Sequence, residues 1–164
     1  MPDTGFPPIA NANARILILG SMPGQKSLAA QQYYAHPQNA FWRIMEELVA
    51  AEGTYEQRCQ ALSASGIALW DVLLSSERPG SMDADIRPDQ SQDNDFKSFF
   101  ARHSNIVRVG FNGQTAAKLF QRLVQPRLED RILCTITLPS TSPAYAAMPF
   151  AEKLARWSEF VTNT

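Results

Sequence analysis

The sequence has little cysteine, little histidine, no long apolar run and no excess of positive charge. Its 164 residues include two cysteines, Cys59 and Cys134, and two histidines, His36 and His103. Two cysteines cannot form a four-thiolate zinc or iron–sulfur site within one chain. No carboxylate–histidine cluster has metal-ligand spacing either, so no metal site is expected. The cysteines lie far apart without CxxC spacing, which fits reduced thiols, although two are also enough for one long-range disulfide. The run Ile16 to Leu19 is far too short to span a bilayer, and no basic segment leads into an apolar one at the N-terminus. The expectation is a cytoplasmic protein with no membrane partner. Fifteen Lys and Arg against sixteen Asp and Glu give a net charge of −1. No global positive field advertises nucleic acid, which leaves only local patches for that purpose. The chain also lacks a Walker lysine and a G-x-S-x-G elbow.

An apolar share of 45% over this length suits one globular domain, residues 1–164, able to bury a core. "ARILILGSMPG" reads as a buried strand closed by a tight loop. Phe41, Ile44, Met45 and Leu48 recur at helical spacing and predict a helix over 40–51. Thr54 and Gln57 have capping-box spacing for a helix over 55–65, with Gly66 placed to stop it. "GIALWDV" is a second strand. Residues 75–93, rich in Ser, Asp, Pro and Gly, read as a long loop whose Arg78 and Arg87 could reach a polyanion or simply lie in solvent. Helices follow near 94–103 and 114–124, the latter closed by Pro126. "IVRVGF" and "RILCTITL" are the third and fourth strands, and a last helix covers 150–161. Strands alternating with helices predict an α/β three-layer sandwich around a central, mostly parallel four-stranded sheet.

In such folds ligands sit beyond the carboxyl ends of the strands. The four strands end in "GSMPG", "WDV", "FNG" and "PSTSPAYA", so one edge collects Gly, Ser, Thr, Asn and Asp. Backbone amides, hydroxyls, carboxamides and aromatics suit a neutral flat ring with one or two phosphates. Every group there also has a structural reading. Gly20, Pro23 and Gly24 make a turn, Asn39 fits a helix N-cap, and Tyr33, Tyr34, Phe41 and Trp42 fit a core. His36 fits a hydrogen-bonded structural role. Their joint placement at one sheet edge favours function.

"LGSMPG", "YYAHPQNAFW" and "LPSTSPAYA", in that order, resemble the hypoxanthine-DNA glycosylase family of the uracil-DNA glycosylase superfamily. "AHPQNAFWRIM" is also similar to a segment of the mismatch-specific uracil/thymine glycosylases. The resemblance runs over essentially the whole chain. It implies a monomeric enzyme that flips a deaminated nucleotide out of DNA and hydrolyses its N-glycosidic bond without metal or cofactor. Relatives carry Asp or Asn in the first motif, where this chain has Met22, and the resemblance instead matches the catalytic asparagine to Asn39. Asn112 would hold the base edge as a second catalytic group. Gly20, Ser21, Met22, Tyr34, Phe41 and Asp71 would surround the base. Pro23, Gly24, Pro139, Ser140, Thr141, Ser142 and Tyr145 would meet the DNA strand, Tyr145 as a wedge. A uracil-excising enzyme, a non-catalytic nucleic-acid binder and a nucleoside hydrolase are the alternative readings.

Overall fold

Alternation within single strands sets the layers. Leu17 and Leu19 point to one face of the sheet, while Ile16 and Ile18 point to the other, and all four are buried. A strand apolar on both faces must be covered on both faces. The computed structural model describes residues 3–76, 83–128 and 133–162. In chain order its elements are β1 (Asp3–Thr4), β2 (Ile16–Gly20), α1 (Gln25–Ala30), α2 (Phe41–Val49), α3 (Tyr55–Ala64), β3 (Ile67–Asp71) and β4 (Leu73–Ser76). They continue with β5 (Ser91–Asp93), α4 (Phe96–Arg102), β6 (Arg108–Asn112), α5 (Gln114–Leu119), β7 (Cys134–Leu138) and α6 (Phe150–Thr162).

Four strands form a wholly parallel sheet in the order β3-β2-β6-β7. On one face α2, α3 and α6 bury Phe41, Ile44, Met45, Leu62, Trp157 and Phe160. On the other face α4, α5 and the turn after α5 bury Phe96, Phe99, Phe100, Leu119 and Phe120. The expected three layers are present. Trp157 and Phe41 are fully buried, and truncating either to alanine would cost about 3–5 kcal/mol.

Local signals act as expected where they are strong. Thr54 Oγ1 accepts from Gln57 N, and Gln57 Oε1 accepts from Thr54 N, which closes the capping box of α3. Gly66, at φ +78°, ends that helix in a left-handed turn. Three expectations need correction. Residues 75–93 are not a continuous irregular loop. Ser75 and Ser76 close β4, and Ser91–Asp93 form β5, so β1, β4 and β5 make a small antiparallel sheet. These strands are two to four residues long and lack apolar alternation, so only pairing with one another defines them. Arg78 lies outside the described residues, and Arg87 is exposed. The helix expected over 114–124 is α-helical only to Leu119, then widens into a π turn over Phe120–Val124 ahead of Pro126. The fourth strand begins at Cys134, with residues 129–132 outside the described part of the chain. Cys59 and Cys134 are free thiols. Among the described residues no helix is long and apolar enough to cross a membrane.

Candidate active site at the carboxyl edge of the parallel sheet

Because all four strands run the same way, their carboxyl ends share one edge. Gly20 stands opposite Asp71, and Asn112 opposite Leu138, so "GSMPG", "WDV", "FNG" and "PSTSPAYA" emerge side by side. Chain order reverses direction at β2, between β3 and β6, and such a switch is where open α/β sheets place a ligand crevice, here above Gly20.

The aromatic stretch divides into three core residues and one exception. Tyr33 donates to the Pro7 carbonyl at 2.8 Å, and its own carbonyl accepts from Trp42 Nε1 at 2.8 Å. Tyr33 N donates to Tyr55 Oη at 3.0 Å. Phe41 is fully buried, and Trp42 lies against Phe41 and Tyr55. These contacts hold the backbone of Tyr34 at φ +55°, a left-handed conformation that a bulky residue rarely takes. The Tyr34 ring stacks on Phe41 with centroids 4.3 Å apart. Phe41 therefore forms the base of an aromatic stack that Tyr34 covers.

The Tyr34 hydroxyl ends over Gly20. A Cβ added at Gly20 would stand 2.8 Å from Tyr34 Oη and 2.6 Å from Asp71 Oδ1, so any larger residue would displace one of these two side-chain ends. Burial first, and then the Asp71 carboxylate, push the Tyr34 phenol far above its ordinary range, partly offset by the Asn112 carboxamide beside it. The Tyr34 proton is accordingly held on oxygen at neutral pH. Asp71 and Asn112 are buried polar residues, 4% and 8% exposed, at a sheet edge that core packing alone would fill with carbon.

Asn112 is fixed by a reciprocal pair across the edge. Its Nδ2 donates to Thr141 Oγ1 at 2.9 Å, and Thr141 N donates to Asn112 Oδ1 at 2.9 Å. One Nδ2 proton and one Oδ1 lone pair remain beyond that pair. Thr141, grouped with the strand-contacting residues by sequence, is 1% exposed and serves as the partner of Asn112. Its carbonyl accepts from Ala40 N at 3.0 Å, which ties the third motif to the second. Asn39, next to Ala40, is half-buried, and its Oδ1 accepts from Phe41 N at 2.9 Å. The helix cap itself is Ala40, which has no side-chain acceptor, so Asn39 caps from one position further out. Asn39 Nδ2 and a second Oδ1 lone pair remain for other partners. His36 Nδ1 accepts from Gln38 N at 3.1 Å, the structural role anticipated for it.

The other expected site residues fall into two groups. Ser21, Met22 and Pro23 are buried at the end of β2, and Met22 packs into the core beneath β4 and α4. Gly24 is half-buried and open to solvent on its Cβ side. Ser140 and Ser142 are half-buried. Ser140 Oγ accepts from Ser142 N, and Ser142 Oγ accepts from Ala144 N, so each hydroxyl keeps its own proton to donate. Gly113, at φ +97°, lets this loop close onto the end of β6, since a Cβ there would stand 3.2 Å from Ser140 Cβ. Tyr145 is 40% exposed. Among the described residues no group of three or more His, Cys, Asp or Glu could hold a metal ion.

The family model described as the uracil DNA glycosylase superfamily matches residues 7–161. The chain belongs to this superfamily. Two curated relatives bear the name hypoxanthine DNA glycosylase. One, from Methanosarcina barkeri, is 35% identical over 81% of this chain and 85% of its own. The other, from Methanosarcina acetivorans, is 34% identical over 85% of this chain and 86% of its own. A solution NMR structure of a Methanosarcina acetivorans protein, described as a candidate uracil DNA glycosylase, superposes with a TM-score of 0.78 at 31% identity. It covers 97% of this chain and 98% of that one.

Two features of this superfamily member were missed by sequence reasoning. Asp83, from the segment read as a loop, accepts a hydrogen bond from the buried Ser21 hydroxyl and so closes over the first motif. Lys153 on α6 is 5% exposed and donates from Nζ to the Tyr145 carbonyl at 2.6 Å, with its ammonium 5.1 Å from the Tyr145 ring centroid. One turn later, Trp157 Nε1 donates to the Pro139 carbonyl at 2.9 Å. The two side chains hold both ends of "PSTSPAY". Desolvation pulls the Lys153 pKa down. A lysine at helical spacing among Phe150, Leu154 and Trp157 was the available signal, because it interrupts an otherwise apolar stripe.

Proposed function

We propose that the protein is a monofunctional, monomeric cytoplasmic DNA glycosylase that releases deaminated bases, chiefly hypoxanthine, through a single domain. The observation that carries this reading is the meeting of Tyr34, Asp71 and Asn112 over Gly20, beside Asn39. It joins a flat aromatic stack, a carboxylate acceptor and a carboxamide at one sheet edge. The names of the relatives agree with it.

A deoxyinosine flipped from the stack enters the crevice after a few kcal/mol of unstacking, least when it is mispaired. Asp71 accepts a purine N–H, and the remaining Asn112 proton donates to an acceptor on the base edge. Ser140 and Ser142 hold the strand by its phosphates, contacts that position without reading sequence. The C1′–N9 bond weakens first, so C1′ gains positive character and the base gains negative charge. Preorganised N–H donors stabilise that charge. Asn39 does not titrate near neutral pH, so it orients the attacking water. Water gives its hydroxyl to C1′ and its proton to the departing base, leaving an intact abasic site.

The test is a panel of single- and double-stranded oligonucleotides carrying hypoxanthine, xanthine, uracil or thymine, incubated with excess chelator. Release of free hypoxanthine as the fastest product is expected. Faster uracil release would reassign the substrate, and loss of release on chelation with rescue by one metal would overturn the mechanism.

A further inference from the structure

Beside the crevice lies a second concavity of about 240 Å³. It shares Tyr34 and Asn39 with the candidate site and continues outward past Trp42 to Arg43, Tyr55 and Arg58. That volume is below the about 300–1,000 Å³ of pockets for drug-sized ligands, so it offers room for part of one nucleotide.

The two arginines are mounted differently from the others near the core. Arg43 stacks over Phe150 with its guanidinium carbon 4.1 Å from the ring centroid, and Arg58 lies 6.0 Å over Trp42. A guanidinium resting on a ring keeps its N–H groups directed outward in its own plane, the geometry that receives a phosphate. Arg108 is also ring-stacked, but it donates to the Phe160 carbonyl. Arg127 pairs with Asp93, and Arg156 with Glu152. The guanidinium groups of Arg43 and Arg58 make no hydrogen bond or ion pair with a described residue. Glu46 shares the rim and leaves two guanidinium charges against one carboxylate. On a chain of net charge −1, this is an uncompensated positive site directly beside the crevice.

We propose that this concavity is the seat of the lesion strand next to the flipped nucleotide, with Arg43 and Arg58 each receiving one backbone phosphate. The assignment rests on the glycosylase reading for the identity of the ligand. It names two phosphate contacts that the serine-rich loop does not supply.

The experiment measures equilibrium binding to a hypoxanthine duplex and to its undamaged counterpart over a range of salt, with melting temperature recorded for every variant. Arg43→Gln and Arg58→Gln should each flatten the slope of log K against log salt by about 0.9, the share of one duplex phosphate. Affinity for both duplexes should fall together. Arg58→Lys should keep the slope. Arg58→Met, which keeps an apolar stem on Trp42, should lose it without a change in melting temperature. Arg122→Gln, an exposed arginine after α5, should leave the slope as it was. Unchanged slopes in both glutamine variants, an equal drop in Arg122→Gln, or a loss confined to the damaged duplex would overturn the proposal. A wild-type protein that releases no base would overturn the glycosylase reading alone, since the binding slopes are read independently of base release.

Discussion

The two ends of the parallel sheet are both polar, yet they are built in opposite ways. The amino end carries a broad, shallow depression of about 800 Å³ lined by Asn11, Asn13, Arg15, Ser65 and Asn105. Its polar groups face solvent or bond nearby backbone, as Asn11 Nδ2 does to the Ser63 carbonyl at 3.0 Å. The carboxyl end buries Asp71, Asn112 and Thr141 beside a left-handed tyrosine. Burying a polar group costs free energy unless its partners are arranged in advance. The depth of burial and the left-handed backbone of Tyr34 are the reasons for proposing the carboxyl end, rather than the broader amino-end depression, as the site.

The largest effect should come from Asn39→Ala. If the carboxyl end acts on a water, single-turnover base release should fall about 100- to 10,000-fold, while stability drops by only about 1 kcal/mol from the lost cap. Asn39→Asp keeps the cap and should still lose rate. A variant that is less stable but equally fast would return Asn39 to a structural role and erase the contrast between the ends. Next, Thr141→Val should cost about 1–3 kcal/mol in chemical denaturation, because Asn112 Nδ2 loses its buried partner. Asn13→Ala at the amino end should cost a few tenths of a kcal/mol at most, as exposed sites do.

Gly20→Ala sharpens the same comparison through activity. Its methyl group meets the far ends of two side chains, Tyr34 Oη and Asp71 Oδ1, which can swing away. The fold should survive while base release falls roughly tenfold, or about 1.4 kcal/mol of transition-state stabilisation. Equal loss of rate and melting temperature would mean the crevice is merely core. The smallest effect lies away from both ends. Backbone and side-chain bonds from Ser98, the N-cap contacts of α4, lower the Asp95 pKa. A carboxylate whose folded pKa is depressed adds stability above its unfolded pKa, and that share is lost as pH falls through the folded value. Asp95→Asn should remove that part of the acid dependence and leave stability at pH 7 nearly intact, as followed by melting temperature against pH.

Much of the architecture was legible because it is local. The spacing of Phe41, Ile44, Met45 and Leu48 already implies α2, and Thr54 with Gln57 already implies the start of α3, since each pattern sits within one or two turns. Four apolar runs with helices between them imply a parallel sheet, and a parallel sheet gathers its strand ends at one edge whatever the side chains are. The sequence alone thus gathered the candidate residues Asn39, Asp71, Asn112 and the Ser140–Ser142 loop at one edge. What each residue does there was decided by tertiary contacts. Thr141 became the partner of Asn112 across 29 positions rather than a surface hydroxyl. Phe41 was covered by Tyr34, Asp83 reached back to Ser21, and Lys153 reached forward to Tyr145. The short strands β1, β4 and β5 exist only through one another. The physical reason is the same in each case. Periodicity within an element follows from backbone geometry, but which buried polar group finds which partner depends on register and packing between elements that no local window contains.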